Sequence, residues 1–236
     1  MAGSRRTGQT FSGSEPMDPR YFYDFLYPFQ DEVLRRLSSL DTGLYLTGGT
    51  AASRGYLKHR FSDDLDLFAN DSDEFRLWTE RAIEAVSSAP DWRSEVLLRE
   101  ERFVRLNLIR DQGTLKVEFV NDVPAHVGGT REHPLLGRID SAENILANKI
   151  TALVDREEPK DLADVWGFCC LLGLRIEDAL EGARSKAAGI FPADLARVLM
   201  SASEEDWKLV RWTEPPEPER FRTDLDGLGQ RLLLLK

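Results

Sequence analysis

A short acidic segment, residues 64–68, limits most strongly what this chain can fold into. Asp64 and Asp66 alternate with leucines, which is the pattern of a β-strand buried on one face. Side chains two residues apart on a strand point the same way, so both carboxylates project together, with Cα atoms roughly 6.5 to 7 Å apart. The segment therefore predicts a strand that presents two neighbouring carboxylates on its outer face.

A glycine turn precedes this strand along the chain. Residues 44–47 predict a short strand and residues 50–57 a brief helix, with Gly48 and Gly49 as the turn between them. Glycines let the backbone approach a triphosphate closely, and the N-terminus of the following helix favours its negative charge. A Gly-Gly pair alone is typical of ordinary turns. Its place ahead of two paired aspartates favours a phosphate-binding site.

Paired carboxylates suit divalent cations. Two metal ions about 3.5 to 4 Å apart can stabilise the attacking and the leaving oxygen of an in-line phosphoryl displacement. Mg²⁺ fits because it binds one or two carboxylates and fills its other positions with water and substrate phosphates. Glu118 is the best-placed third acid, since its apolar neighbours occupy the opposite face of their predicted strand.

Structural alternatives stay open for these acids. Asp64 and Asp66 could form an acidic strand edge that is kept charged for solubility. Glu118 shares its face with Lys116, and the two could form a surface ion pair on a one-sided sheet.

The order of predicted elements indicates an α+β fold with a small mixed sheet and a helical C-terminal half. An apolar content of 42% can supply a sizeable core. We expect a disordered leader over residues 1–16, a core over residues 17–140 and a helical region over residues 141–236. Further strands are predicted at residues 95–98, 103–109 and 115–120. Helices are predicted to begin near Asp18, Asp73, Ser141, Lys160, Ile176 and Pro192, with a last segment after the proline-rich residues 214–218.

Composition narrows the partners and the compartment. A formal net charge of −10 argues against a broad basic surface that coats nucleic acid. A local basic patch, or alternatively a set of solvated loop charges, is predicted at Arg54, Lys58, His59 and Arg60. The adjacent Cys169 and Cys170 lie in an apolar run and are expected to pack rather than to form a bridge. No apolar stretch approaches the roughly 18 residues that span a bilayer, so we expect a cytoplasmic protein without a membrane partner.

Two sets of motifs resemble one family. Residues 47–51 (TGGTA) and 60–68 (RFSDDLDLF) resemble the nucleotidyltransferase signature of the AbiEii/AbiGii toxin family. Residues 145–153 (ILANKITAL) with Arg156, and residues 160–165 (KDLADV), resemble that family's lysine-bearing helix and the D-x-x-D segment after it. The motifs follow the family's order along the chain.

The resemblance implies a polymerase-beta-like minimal nucleotidyltransferase fold. By the same resemblance, Gly48, Gly49 and Thr50 would hold the triphosphate of an NTP. Lys149 would contact a nucleotide phosphate, and Asp161 would act as an additional catalytic acid.

The resemblance also assigns the metal site and the partners. Asp64 and Asp66 would be catalytic ligands of two Mg²⁺ ions, with Glu118 as the third ligand where the family frequently has Asp. Members are similar to toxins of toxin–antitoxin or phage-defence pairs, and some transfer nucleotides to tRNA. The implied partners are an NTP, a tRNA or protein acceptor, and a cognate antitoxin.

Taken alone, the later residues permit simpler interpretations. Lys149 either reaches the surface or points into a cleft, and Asp161 and Asp164 could simply complement a helix dipole in its first turn. His126 and His133 fall in a turn-rich stretch and are expected to be solvated.

Two rival functions remain. A small-molecule, antibiotic-modifying nucleotidyltransferase would use a similar glycine turn and D-x-D pair. A non-catalytic nucleotide-binding module would keep the fold without turnover.

Overall fold

The structure, a computed structural model, describes residues 18–110 and 113–235, and the expected leader over residues 1–16 lies outside them. The described residues form a seven-stranded mixed sheet in the order β3-β4-β5-β2-β1-β7-β6. Its strands are β1 (Tyr45–Thr47), β2 (Leu65–Asn70), β3 (Arg93–Arg99), β4 (Phe103–Arg110), β5 (Gly113–Asp122), β6 (Arg131–His133) and β7 (Gly137–Ile139). β2 runs parallel to β5 and β1 to β7, while the other neighbours are antiparallel.

The described helices surround this sheet and make up the C-terminal part. They are α1 (Tyr27–Ser38), α2 (Gly48–Thr50), α3 (Phe75–Ser87), α4 (Ala142–Arg156), α5 (Pro159–Trp166), α6 (Ile176–Lys186), α7 (Pro192–Met200), α8 (Glu204–Leu209) and α9 (Pro218–Leu233). Three π-helical segments extend them: Tyr21–Leu26 before α1, Ala51–Leu57 after α2 and Gly167–Leu171 after α5.

Side-chain caps confirm two predicted helix starts. Asp18 accepts the Arg20 N–H at 3.0 Å where the first helix begins. Ser141 accepts the Asn144 N–H at 3.0 Å and caps α4. Each cap satisfies a backbone donor that the helix itself cannot pair.

Strand alternation gives the sheet a buried face and a more open face. In β2, Leu65 and Leu67 are buried while Asp66 between them is only partly buried. β4 and β5 repeat this pattern. The buried face packs near α1 and α3, since Leu34 and Ala82 border the same cavity as Leu67. The acidic residues therefore lie on the face turned away from this core.

A buried carboxylate connects the sheet to the C-terminal helices. Asp140 is fully buried and accepts hydrogen bonds from Thr47 Oγ1 at 2.6 Å and Asn144 Nδ2 at 2.9 Å. Thr47 ends β1 and Asn144 lies in the first turn of α4, so Asp140 fixes α4 relative to the glycine turn. One hydrophobic cluster holds side chains from both parts, including Phe119 and Phe221. The division at residue 140 stays a prediction.

Three short elements, β6, β7 and α8, were not predicted from the sequence. Each has six residues or fewer, too few for a periodic pattern to emerge. Among the helices of the described residues, none combines the length and apolar character needed to cross a membrane.

Candidate active site

The glycine turn touches Asp66. Gly48 follows β1 directly and has a left-handed φ of +64°. A Cβ atom on Gly48 would overlap the Asp66 carboxylate. A Cβ atom on Gly49 would lie 2.8 Å from Ser62 Oγ and 2.9 Å from an Arg60 guanidinium nitrogen. Position 48 therefore requires glycine, and a side chain at position 49 would have to displace Ser62 or Arg60.

The sheet register brings Glu118 beside Asp66. Asp66 lies opposite Thr47 in β1 and opposite Glu118 in β5. Residues paired in this way share a face of the sheet. Asp64, one residue before β2, is linked to Glu118 through a common cation, Lys116. The three predicted metal ligands therefore lie on neighbouring strand positions, and their role as ligands stays a prediction.

Lys116 lies between two of these carboxylates. Its Nζ is 2.8 Å from Asp64 Oδ2 and 3.3 Å from Glu118 Oε1. Arg105 Nε donates to Glu118 Oε1 at 2.7 Å. Within residues 18–110 and 113–235, no three acidic, histidine or cysteine side chains are grouped as a ready metal cage. The ammonium group of Lys116 thus bridges Asp64 and Glu118.

The charge on Asp66 is poorly compensated. Burial, together with the charges of Glu118 and Asp64, raises the pKa of Asp66 to about 6. Burial also raises the pKa of Asp64, although the hydrogen bond from Lys116 works in the opposite direction. Carboxylate oxygens are the ligands that Mg²⁺ prefers. Because the like charges are only partly neutralised, this donor set fits a divalent cation.

Thr50 forms hydrogen bonds to the segment that carries Asp64. Its hydroxyl is fully buried, donates to the Asp64 carbonyl oxygen at 2.5 Å and lies 3.1 Å from Ser62 Oγ. The Thr50 hydroxyl therefore faces the segment that carries Asp64. Any contact from this residue to a triphosphate would come from its backbone N–H.

Behind the glycine turn lies a buried ion cluster centred on Asp164. Arg60 donates to both Asp164 oxygens at 2.7 Å, and Lys149 Nζ lies 2.7 Å from Oδ2. His59 Nε2 lies 3.0 Å from Oδ1. Burial alone would raise the pKa of Asp164, but the charges of Arg60 and Lys149 hold it well below its usual range. Asp164 is thus an ionised anchor for two cations beside the turn.

A family comparison identifies this arrangement. The sequence profile of the family described as "Nucleotidyl transferase AbiEii toxin, Type IV TA system" matches residues 32–223. The chain belongs to this family. It is therefore a nucleotidyltransferase of a toxin family of type IV toxin–antitoxin systems, as the AbiEii motifs predicted. No curated protein matches the sequence.

Solved structures share the fold. MenT4, a nucleotidyltransferase toxin from Mycobacterium tuberculosis, superposes with a TM-score of 0.63 at 19% identity over 92% of this chain and 85% of its own. JHP933 from Helicobacter pylori gives a TM-score of 0.58 at 19% identity over 87% of this chain and 90% of its own. At this identity the likeness concerns the fold alone. It confirms the predicted fold class.

The two later residues of the AbiEii motifs lie within the ion cluster. Lys149 is only 7% exposed, and its Nζ donates to Asp161 Oδ1 at 2.6 Å. Asp161 is fully buried, and Arg156 donates to its second oxygen at 2.8 Å. Both oxygens of Asp161 are thus engaged with cations, one with Lys149 and one with Arg156. The role of Asp161 as an additional catalytic acid stays a prediction.

The predicted basic patch is wrong for His59 and Arg60, which are buried, whereas Lys58 is exposed. His59 and Arg60 are each 4% exposed because they pair with Asp164, and Arg54 pairs with Asp31 at 2.6 Å. Asp164 and Asp31 neutralise the charges of these side chains. They do not form a common surface for nucleic acid.

The two histidines predicted to be solvated are also partnered. His126 Nε2 lies 2.9 Å from Asp140 Oδ1, and the side chain is 17% exposed. His133 lies in β6, and its Nδ1 accepts N–H groups of Leu135 and Leu136 at 3.2 Å. Both histidines therefore form hydrogen bonds within the fold.

Sequence reasoning missed several residues of the site. The sequence indicates Lys116 only as a neighbour of Glu118 on one strand face. Because the two residues are two positions apart in an alternating strand, both side chains point to the face that carries the acids. Arg105 belongs to the adjacent strand, and its pairing with Glu118 depends on register. Arg60 and Asp164 are 104 positions apart, and no local pattern announces their contact.

Proposed function

We propose that this AbiEii-family chain transfers a nucleoside monophosphate from an NTP to an acceptor hydroxyl and releases pyrophosphate, with Mg²⁺ as cofactor. The observation that carries the proposal is the contact between the glycine turn and Asp66, with Asp64 and Glu118 on the same side. A polyphosphate on the turn would lie directly beside the three carboxylates.

Asp64, Asp66 and Glu118 would hold the magnesium ions. When bound, two such ions supply electrostatic stabilisation to the attacking and leaving oxygens of the displacement. The partly compensated charge on Asp66 supports this assignment. Lys116 would have to give way or turn toward the substrate as cations bind, because it now bridges Asp64 and Glu118.

The glycine turn and Lys149 would hold the nucleotide. Gly48 and Gly49 lie at the start of a helix, where backbone N–H groups lack helical partners and negative charge is favoured. An ammonium group has three N–H donors, and Asp161 and Asp164 accept two of those on Lys149. The third would be available to a phosphate oxygen that reaches the cluster.

The acceptor would be a tRNA or a hydroxyl of a protein side chain. The family membership supports a macromolecular acceptor and a cognate antitoxin as partners. The net charge of −10 favours a confined contact with nucleic acid over a broad one.

The experiment incubates the purified chain with each α-labelled NTP, Mg²⁺ and separate pools of total RNA and total protein. We expect label in one macromolecular pool, with loss of more than about 100-fold on Asp66→Asn. Asp178→Asn is the control, since this aspartate is 73% exposed on α6. Label on a small molecule would favour the antibiotic-modifying alternative. Nucleotide binding with no label transferred would favour a binding module.

A further inference from the structure

The segment that leads to Asp64 has no regular secondary structure. Residues 58–64, the aspartate loop, run from a left-handed residue, Lys58, to the start of β2. The carboxylate of Asp64 must nevertheless be held to within about 0.5 Å for metal-assisted chemistry. The position of Asp64 therefore depends on what the rest of the chain bonds to this loop.

One support comes from α1. Gln30 is fully buried, and its Nε2 donates to the carbonyl oxygens of Ser62 at 3.2 Å and Asp63 at 3.1 Å. Arg54 in turn donates to Gln30 Oε1 at 2.9 Å and fixes the amide. Gln30 thus joins the backbone of the loop at Ser62 and Asp63 to α1.

A second support comes from the far end of the chain. Residues 210–213, the C-terminal strap, run antiparallel beside the loop, with a bridge between Arg60 and Trp212. Phe61 N–H donates to the Arg211 carbonyl oxygen at 2.8 Å, and Thr213 N–H donates to the His59 carbonyl oxygen at 2.9 Å. The strap thus supplies partners that the loop cannot find in the sheet.

The strap itself is anchored in the C-terminal helices. The Trp212 ring packs edge-on against Phe221 at 5.4 Å and Trp166 at 5.8 Å between centroids. Its Nε1 donates to the Trp207 carbonyl oxygen at 2.9 Å. The strap is therefore packed against the C-terminal helices, and through it the loop is joined to them.

A side-chain pair joins the strap to the residue before Asp64. Arg211 donates from Nη1 to Asp63 Oδ2 at 2.6 Å, and its Nη2 reaches Oδ1. This two-bond geometry fixes orientation as well as distance. The side chains are 33% and 45% exposed, so the pair adds little to overall stability. The pair therefore acts on the local position of the aspartate loop.

We propose that Arg211 is a positioning residue for nucleotidyl transfer: through Asp63 it fixes the backbone that presents the Asp64 carboxylate. The effect on rate rests on the proposed function. The ordering of the loop does not, and it can be measured without nucleotide or metal.

The test uses the full chain and two readouts. Hydrogen exchange of peptides covering residues 58–66 reports loop order, and pyrophosphate release reports kcat and KM for NTP. Arg211→Ala and Asp63→Asn should each speed exchange in these peptides and lower kcat between about 10-fold and 100-fold, with KM within about twofold. The double variant should be no worse than either single one. Arg211→Lys should lose less than Arg211→Ala, since it keeps the charge.

Arg231→Ala is the matched control. Arg231 makes a comparable two-bond pair with Glu177 between α9 and α6, and its loss should change neither readout. Should Arg211→Ala fold poorly, the nearly isosteric Asp63→Asn decides. Unchanged loop exchange together with a wild-type kcat in both variants would overturn the proposal. If the wild type releases no pyrophosphate with any NTP, the proposed function fails, and the exchange result still decides whether Arg211 orders the loop.

Discussion

The α-carbon of Gly48 lies against the carboxylate of Asp66, so that a single methyl group on Gly48 would occupy the space of that carboxylate. The glycine turn and the strand that carries Asp66 are therefore one packed unit. A side chain at position 48 would displace Asp66, and a ligand on the turn would lie beside it.

Gly48→Ala should abolish transfer, with loss of more than about 100-fold, because it forces both a strained left-handed φ and a clash with Asp66. The free energy of unfolding should fall by about 1 to 3 kcal/mol. Gly227→Ala is the control: this glycine lies in α9 with open space around it. That variant should be more stable by roughly 0.5 to 1 kcal/mol and fully active. Urea unfolding measures the stability of both variants, and pyrophosphate release measures their activity. An active Gly48→Ala would contradict the packing described.

Lys116→Met should lower the Mg²⁺ concentration that gives half-maximal thermal stabilisation, because it removes a cation that competes for Asp64 and Glu118. The shift should be severalfold, in keeping with an ion pair about one-third exposed. Lys208→Met, which removes an exposed lysine of α8, is the control. A higher Mg²⁺ requirement in Lys116→Met would show that Lys116 assists cation binding.

Asp164→Asn should cost about 3 to 5 kcal/mol of unfolding free energy, because it leaves Arg60 and Lys149 as insufficiently compensated buried cations. Glu157→Gln removes an exposed partner of Arg197 and should stay within about 0.5 kcal/mol of wild type. Chemical denaturation at pH 7.5 makes the comparison. Equal costs for the two variants would mean that the buried cluster does not stabilise the protein.

His126 gives the fold a measurable pH dependence. Its hydrogen bond to Asp140 raises its pKa, so its stabilising contribution is complete below its ordinary pKa and is lost as pH rises through the raised one. His126→Gln should therefore cost more at pH 5.5 than at pH 8.5, by about 0.5 to 1 kcal/mol. Burial lowers the pKa of His133, so His133→Gln should show the opposite trend. A cost for His126→Gln that does not change with pH would count against the pair.

Local pattern was sufficient for the turn and the strand that carry Asp66. Gly48 and Gly49 marked a turn, alternation marked β2, and Ser141 marked the start of α4, because each signal lies within a few residues of the structure it determines. The same alternation placed Glu118 on the correct face. Which residue lies beside Glu118 on the next strand, however, depends on the register of β2 and β5, and alternation does not determine that register.

Long-range partners could not be predicted. Arg60 looked like part of an exposed basic run, yet its partner Asp164 lies in α5 and removes it from solvent. Arg211 carried no motif, although it contacts Asp63 across 148 positions. Such contacts depend on how α5 and the C-terminal strap pack against the aspartate loop, and composition and periodicity contain no information on that packing.

The most direct test of nucleotidyl transfer compares the fate of two labels. The purified chain, Mg²⁺ and the acceptor pool are incubated in parallel with α-labelled and γ-labelled NTP, using wild type and Asp66→Asn. Wild type should transfer the α-label to the acceptor and release the γ-label in pyrophosphate, and Asp66→Asn should do neither. Transfer of the γ-label to the acceptor, or undiminished α-label transfer by Asp66→Asn, would contradict this prediction.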